Sequence, residues 1–174
     1  MSRRLILSIF IIISLISCHS YESPKTNEKA EENLYDTFMV YNRKMAEYEN
    51  QLIEDYLARY HLSMNQTGTG LRYKILKEGE GPRIKEGQEV ALEYKMYLLT
   101  GDLIKESKQN NLMRFTVGKA NVISGLDEAI RLFQKGTIAK IIIPSHLAYG
   151  ATGDQQHIPP RATLVLDIKI VELY

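Results

Sequence analysis

The segment Glu89–Leu98 alternates almost without a break. Val90, Leu92, Tyr94, Met96 and Leu98 are apolar, and Glu89, Glu93 and Lys95 stand between them. A period of two sends these two sets to opposite faces of an extended chain, so the segment reads as a long strand with one buried face. Leu71, Tyr73 and Ile75 repeat the pattern against Arg72 and Lys74, and Ala162-Thr163-Leu164-Val165-Leu166-Asp167-Ile168-Lys169-Ile170 repeats it near the end of the chain. Residues 137–143 form a nearly continuous apolar strand closed by Pro144, while Glu80-Gly81-Pro82 and Glu86-Gly87-Gln88 are turn signals. One short helix interrupts the strands. Ser124 reads as its N-cap with Asp127 three residues on; Leu126, Ala129, Ile130 and Phe133 form its apolar stripe, and Gly136 suits the C′ position. The fold class is α+β, a bent antiparallel sheet wrapped around one short helix.

A different periodicity precedes these strands. Leu34, Phe38, Tyr41, Met45, Tyr48 and Leu52 recur at spacings of four and three, and Ile53, Tyr56 and Tyr60 widen the apolar face. Residues 31–64 are therefore expected to be an amphipathic helical segment, with Asn50 as a point where it can break. Its stripe must bury against its own domain or against a second copy in a homodimer. The breaker cluster Asn65-Gln66-Thr67-Gly68-Thr69-Gly70 marks the start of the strand-rich domain, residues 65–174.

The first residues read as an export signal. Arg3 and Arg4 give a positive n-region, and residues 5–16 are a short apolar stretch that does not comfortably span a bilayer. Leu15-Ile16-Ser17-Cys18 resembles a bacterial lipobox, which implies a signal peptide over residues 1–17 and lipidation of Cys18. Cys18 is the single cysteine of the chain, so no internal disulfide is available. Residues 18–30 are polar and read as a tether. Cleavage before Cys18 removes two of the 22 Lys and Arg side chains and none of the 21 acids, leaving a net charge of −1. Such a balance gives no electrostatic footprint for nucleic acid.

The strand-rich part carries a spaced set of motifs. Gly125-Leu126-Asp127-Glu128-Ala129 is followed by Ala148-Tyr149-Gly150, then by Ile158-Pro159-Pro160 and the final alternating strand. Together they resemble the FKBP-type peptidyl-prolyl cis/trans isomerase family over residues 71–173. The resemblance implies an apolar pocket that acts without a nucleophile, metal or cofactor. It implies that Tyr94, the backbone N–H of Ile123 and the hydroxyl of Tyr149 meet the substrate. It further implies that Ile104, Met113, Phe115, Val122, Leu126, Ile158 and Leu166 line the pocket. The chain departs from the family where Ile104-Lys105 stands for a common Phe-Asp, and where Met113, Leu126 and Leu166 replace aromatic residues. These changes imply a roomier pocket and slower isomerisation.

Other chemistries read poorly. His61, His146 and His157 lack metal-ligand spacing. Gly79-Glu80-Gly81 reads as a hairpin-type turn without the strand-to-helix context of a phosphate loop. Together, the lipobox-like motif and the family resemblance imply an exported lipoprotein isomerase, anchored by its lipid to a membrane facing the periplasm, that acts on X–Pro bonds of envelope proteins. His19-Ser20 after the lipobox lacks an inner-membrane retention aspartate, which favours the outer membrane. The rival reading is a non-catalytic peptide-binding chaperone or assembly module on the same fold. The layout of lipobox, helix and isomerase domain also resembles the FKBP-type lipoproteins associated with gliding motility.

Overall fold

The computed structural model describes residues 28–107 and 111–174, with side chains from residue 33 onward. The expected signal peptide, Cys18 and most of the tether lie outside the described residues. No helix among the described residues is long and apolar enough to cross a membrane.

Helix α1 runs without interruption through Glu28–Arg59. It begins ahead of the expected start and does not break at Asn50. The reason is that the Asn50 side chain faces outward to Arg72, whose guanidinium donates to Asn50 Oδ1 at 2.5 Å, rather than competing for its own helix backbone. The strands follow as β1 (Asn65–Gln66), β2 (Arg72–Lys77), β3 (Glu89–Leu98), β4 (Leu103–Glu106) and β5 (Met113–Thr116). Then come α2 (Ser124–Ile130), β6 (Ile138–Ile143), a 3-10 turn (Ser145–Leu147) and β7 (Leu164–Leu173).

All strand pairings are antiparallel. The seven strands are ordered β1-β2-β6-β7-β3-β4, with β5 also on β3. The free edge of β3 is shared: its first residues pair with β5 and its last with β4. Irregularities between Ile75 and Lys77 and between Ala91 and Leu92 bend the long strands. The segment around Gly79 is no hairpin turn, because β2 pairs with β6 rather than β3. Glu80 instead bridges to Lys135 and donates its N–H to the Lys135 carbonyl at 2.8 Å.

On the inner face, Leu92, Tyr94, Met96, Ile141, Ile143, Leu164, Leu166 and Ile168 join Leu126, Ala129, Ile130 and Phe133 in one apolar core. Helix α2 comes close because Gly125 has no side chain. A Cβ there would meet Ile143 Cγ2 at 2.3 Å. Two details of α2 differ from expectation. Ile123 is the N-cap and no side chain caps the helix; Ser124 Oγ donates to the Leu147 carbonyl at 3.2 Å. Asp127 instead accepts the Gly118 N–H at 2.7 Å and pairs with Arg131 at 2.7 Å. The helix ends at Ile130, so Gly136 is not its C′ residue; at φ +85° it turns the chain into β6.

Period two predicts a solvent-facing outer side, and this holds only toward Glu93, Lys95 and Lys169. At the end that carries Arg72, Ile142 and Val165, these three residues are all buried. The compact unit that contains the sheet begins at Lys44, and its part of α1 covers this region. Ile53 is 1% exposed and packs with Ile142 and Val165, flanked by Tyr56 and Leu57. Arg72, 3% exposed, donates to Glu54 Oε1 and the Gly70 carbonyl, both at 2.8 Å. In the preceding unit, Leu34, Tyr35, Phe38, Met39, Val40 and Tyr41 of α1 are exposed.

Ile53→Ala removes a fully buried side chain from this contact and should cost about 2–5 kcal/mol in urea unfolding of the full chain. An unchanged unfolding midpoint would mean that the helix does not dock in solution.

Candidate active site

Tyr94 lies on β3, 5% exposed, facing the core. Its backbone is held on both sides by Ser107, just after β4: the Tyr94 N–H donates to Ser107 Oγ at 2.8 Å, and the Ser107 N–H donates to the Tyr94 carbonyl at 2.9 Å. Nothing in the sequence distinguishes Ser107 from a loop serine, so this support was not legible beforehand. Phe115 and Met113 on β5 pair with Val90 and Leu92, which aligns them with the inner face of β3. Phe115 is buried and Met113 half-buried.

Leu126 enters from the first turn of α2, with Val122 and Ile123 immediately before it, half-buried against the core. Leu166 is fully buried on β7, opposite Met96 and Ile141. Ile104 on β4 packs half-buried against the same cluster, whereas its neighbour Lys105 is exposed. The remaining candidates come from the loop between β6 and β7. Ile158 is buried in the core cluster and Tyr149 is 37% exposed. Tyr94, Ile104, Met113, Phe115, Val122, Ile123, Leu126, Ile158 and Leu166 thus all belong to or pack against the domain's apolar core, and Tyr149, outside it, lies near Tyr94.

Burial pushes the phenol pKa of Tyr94 above its usual value, and Tyr149 nearby raises it further. Tyr149 is raised by burial too, with the Asp154 carboxylate adding to it. Both hydroxyls therefore stay protonated at neutral pH and can donate hydrogen bonds. Among the described residues no three His, Cys, Asp or Glu side chains come together. The arrangement offers apolar walls and hydroxyl donors.

The loop is ordered by its own backbone. The Arg161 N–H donates to the Gly150 carbonyl at 2.9 Å, and the Asp154 N–H to the Ile158 carbonyl at 3.1 Å. At the tip, one oxygen of Asp154 accepts the N–H groups of Ile158 (2.6 Å), Gln156 (3.0 Å) and His157 (2.8 Å). Gly153, at φ +68°, permits this turn, since a Cβ would fall 2.1 Å from the Ile158 carbonyl oxygen. Asp154 thereby sets the position of Ile158. An aspartate before a run of polar residues is a turn signal in the sequence.

An antiparallel sheet closed over one short helix, with tyrosines and a proline-flanked loop at the edge of its core, defines a class. The chain belongs to the FKBP-type peptidyl-prolyl cis-trans isomerase family, whose model matches residues 81–171. It is 39% identical over 107 residues to the probable FKBP-type peptidyl-prolyl cis-trans isomerase FkpA of Neisseria meningitidis serogroup B, covering 62% of this chain and 39% of that protein. It is 33% identical over 106 residues to an FK506-binding protein of the same organism, covering 60% of this chain and 97% of that one. Among solved structures, a peptidyl-prolyl cis-trans isomerase from Pseudomonas syringae pv. tomato superposes with a TM-score of 0.65 at 25% identity, covering 75% of this chain and 94% of that chain. The chain therefore spans well under half of its longer relative and nearly all of the short one.

The ordering of the loop tip should depend on pH. Three backbone donors, Ile158 first, hold the Asp154 carboxyl below its usual 3.8. A depressed folded pKa contributes order that is complete above 3.8 and is lost as pH falls through the lower folded value. In an NMR titration the amide signals of Gln156, His157 and Ile158 should move together as pH falls through that range. In Asp154→Ala they should already sit at the acid-form positions at pH 7 while the strand signals stay put. Wild-type-like shifts in that variant would contradict the assignment.

Proposed function

We propose that the chain is a peptidyl-prolyl cis/trans isomerase. What supports this reading is that Tyr94, Phe115, Leu126 and Ile158 are buried in one core with Ile123 packed against it, and that Tyr149 stands near enough to Tyr94 to raise its pKa. Rotation about an X–Pro bond is opposed by a barrier of about 18–20 kcal/mol, because the planar amide has partial double-bond character. Water stabilises that planar, charge-separated form more than the twisted one. A pocket that takes up the proline ring and removes water favours the twisted amide, and donors that fit the twisted form better add to it. In this reading Phe115, Leu126 and Leu166 receive the ring, and the Ile123 N–H holds the substrate carbonyl at the start of α2, where helix geometry leaves such groups without intrahelical acceptors. The Tyr149 hydroxyl donates from the loop.

Ile104 supplies apolar bulk without a ring, and exposed Lys105 carries the opposite charge to the aspartate common at that place. Both point to modest rates. They are also the features that favour the second reading, a binding module that grips proline-containing segments without turning them over quickly.

We further propose that the clients are envelope proteins and that the chain is a lipoprotein, anchored at Cys18 and facing the periplasm. This rests on the Leu15-Ile16-Ser17-Cys18 motif. The layout is like that of the FKBP-type lipoproteins associated with gliding motility. Cys18→Ala is expected to move the chain from the membrane fraction into a soluble or unprocessed form. Fractionation and mass identical to wild type would refute lipidation.

The activity is tested in a protease-coupled assay on X–Pro peptides. Tyr149→Phe should lose up to about tenfold in kcat/KM, the equivalent of one partly desolvated hydrogen bond. Tyr94→Ala should lose more, because it also opens the wall. A folded wild type without activity on any X–Pro peptide, yet still binding one, would hand the site to the binding-module reading.

A further inference from the structure

Glu49 stands on α1, outside the segment shared with the family, and it touches both ends of the loop that carries Tyr149 and Ile158. Its Oε1 accepts the Ser145 N–H at 2.6 Å and the Thr163 hydroxyl at 2.5 Å, and its Oε2 accepts the Ser145 hydroxyl at 2.9 Å. Ser145 and Thr163 are both buried. The chain leaves the sheet beside Ser145, after β6, and rejoins it beside Thr163, before β7. The Ser145 carbonyl in turn accepts the N–H groups of Ala148 at 3.0 Å and Gly150 at 2.8 Å, the residues on either side of Tyr149. A continuous series of hydrogen bonds runs from α1 through Ser145 to the backbone that bears the tyrosine.

We propose that Glu49 is a positioning residue for the peptide site: by gripping both roots of the loop with one carboxylate, it fixes where Tyr149 and Ile158 stand relative to Tyr94. The functional half of this proposal rests on the isomerase reading above. Hydrogen bonds to a charged acceptor are shorter and about twice as strong as neutral ones, so two roots held by one carboxylate lose their freedom to slide apart. Docking of the helix has other supports. Ile53 is buried against the sheet, and Arg72 reaches Asn50 and Glu54. Loss of the Glu49 carboxylate can therefore loosen the loop while the helix stays in place. Nothing in the sequence marks Glu49 among the charged residues of its helix. Its partners are 96 and 114 residues away.

The test compares the full chain with Glu49→Gln and Glu49→Ala. Amide exchange at Ala148 and Gly150 should be about tenfold faster in Glu49→Ala, with unchanged protection at Ile53 and along β6. Glu49→Gln keeps volume and one acceptor oxygen and should fall between. In the isomerase assay kcat/KM should drop about three- to tenfold, carried mainly by KM, since a loop that populates non-productive positions lowers the competent fraction. Unchanged protection at Ala148 and Gly150 in both variants would overturn the proposal. So would a loss of protection shared equally with Ile53, which would make Glu49 a helix-docking residue only. A loosened loop with wild-type kcat/KM in an active enzyme would overturn it as well. If the wild type itself has no isomerase activity, the proposed function fails, and the clamp is judged from protection together with the affinity of the same variants for a proline-containing peptide. Equal affinity across them would then refute it.

Discussion

Helix α2 has seven residues and could not persist in water on its own. It exists because Leu126, Ala129 and Ile130 are buried under the sheet, and they can be buried only because Gly125 lets the helix backbone lie against Ile143 and Leu147. That close approach sets the rest of the site. It places Val122 and Ile123 at the rim, puts Leu126 at the base, and brings Ser124 within reach of the Leu147 carbonyl, so the short helix and the long loop are joined at their starts. A methyl group at residue 125 would push the helix away from β6 and enlarge the space between the tyrosines and the floor.

The inner face of the sheet was legible because it obeys a simple period. Tyr94 and Met96 alternate with Glu93 and Lys95, and the Leu126-to-Phe133 stripe repeats at helical spacing, so burial followed directly. The outer face was only partly legible. Arg72 and Val165 occupy positions that alternation assigns to solvent, and they are buried because helix α1 lies over them. Local pattern carries no information about a cover supplied from elsewhere. The same limit explains the missed supports of the site. Ser107 beneath Tyr94 and Glu49 beneath the loop are ordinary polar residues whose partners are chosen by the tertiary fold. The motif residues themselves were found by resemblance, since a buried tyrosine or isoleucine looks like core in any sequence.

The two faces divide the labour. On one, apolar side chains and protonated tyrosine hydroxyls predominate. On the other, ions do the ordering: Arg72 with Glu54, Lys140 with Asp167 and Lys169 with Glu93. Pairs of this kind contribute little energy when exposed, and the buried Arg72 is of more use in specifying where the helix lies than in adding stability.

Strand β7 is the last strand of the sheet in chain order, and it is also central, with β6 on one side and β3 along its whole length on the other. A nascent chain therefore cannot complete its sheet until the final ten-residue strand has emerged. Until then β3 and β6 each present an unpaired edge. The closing step of folding is therefore a long-range one: β7 must find β3 across the whole intervening sheet, helix and loop.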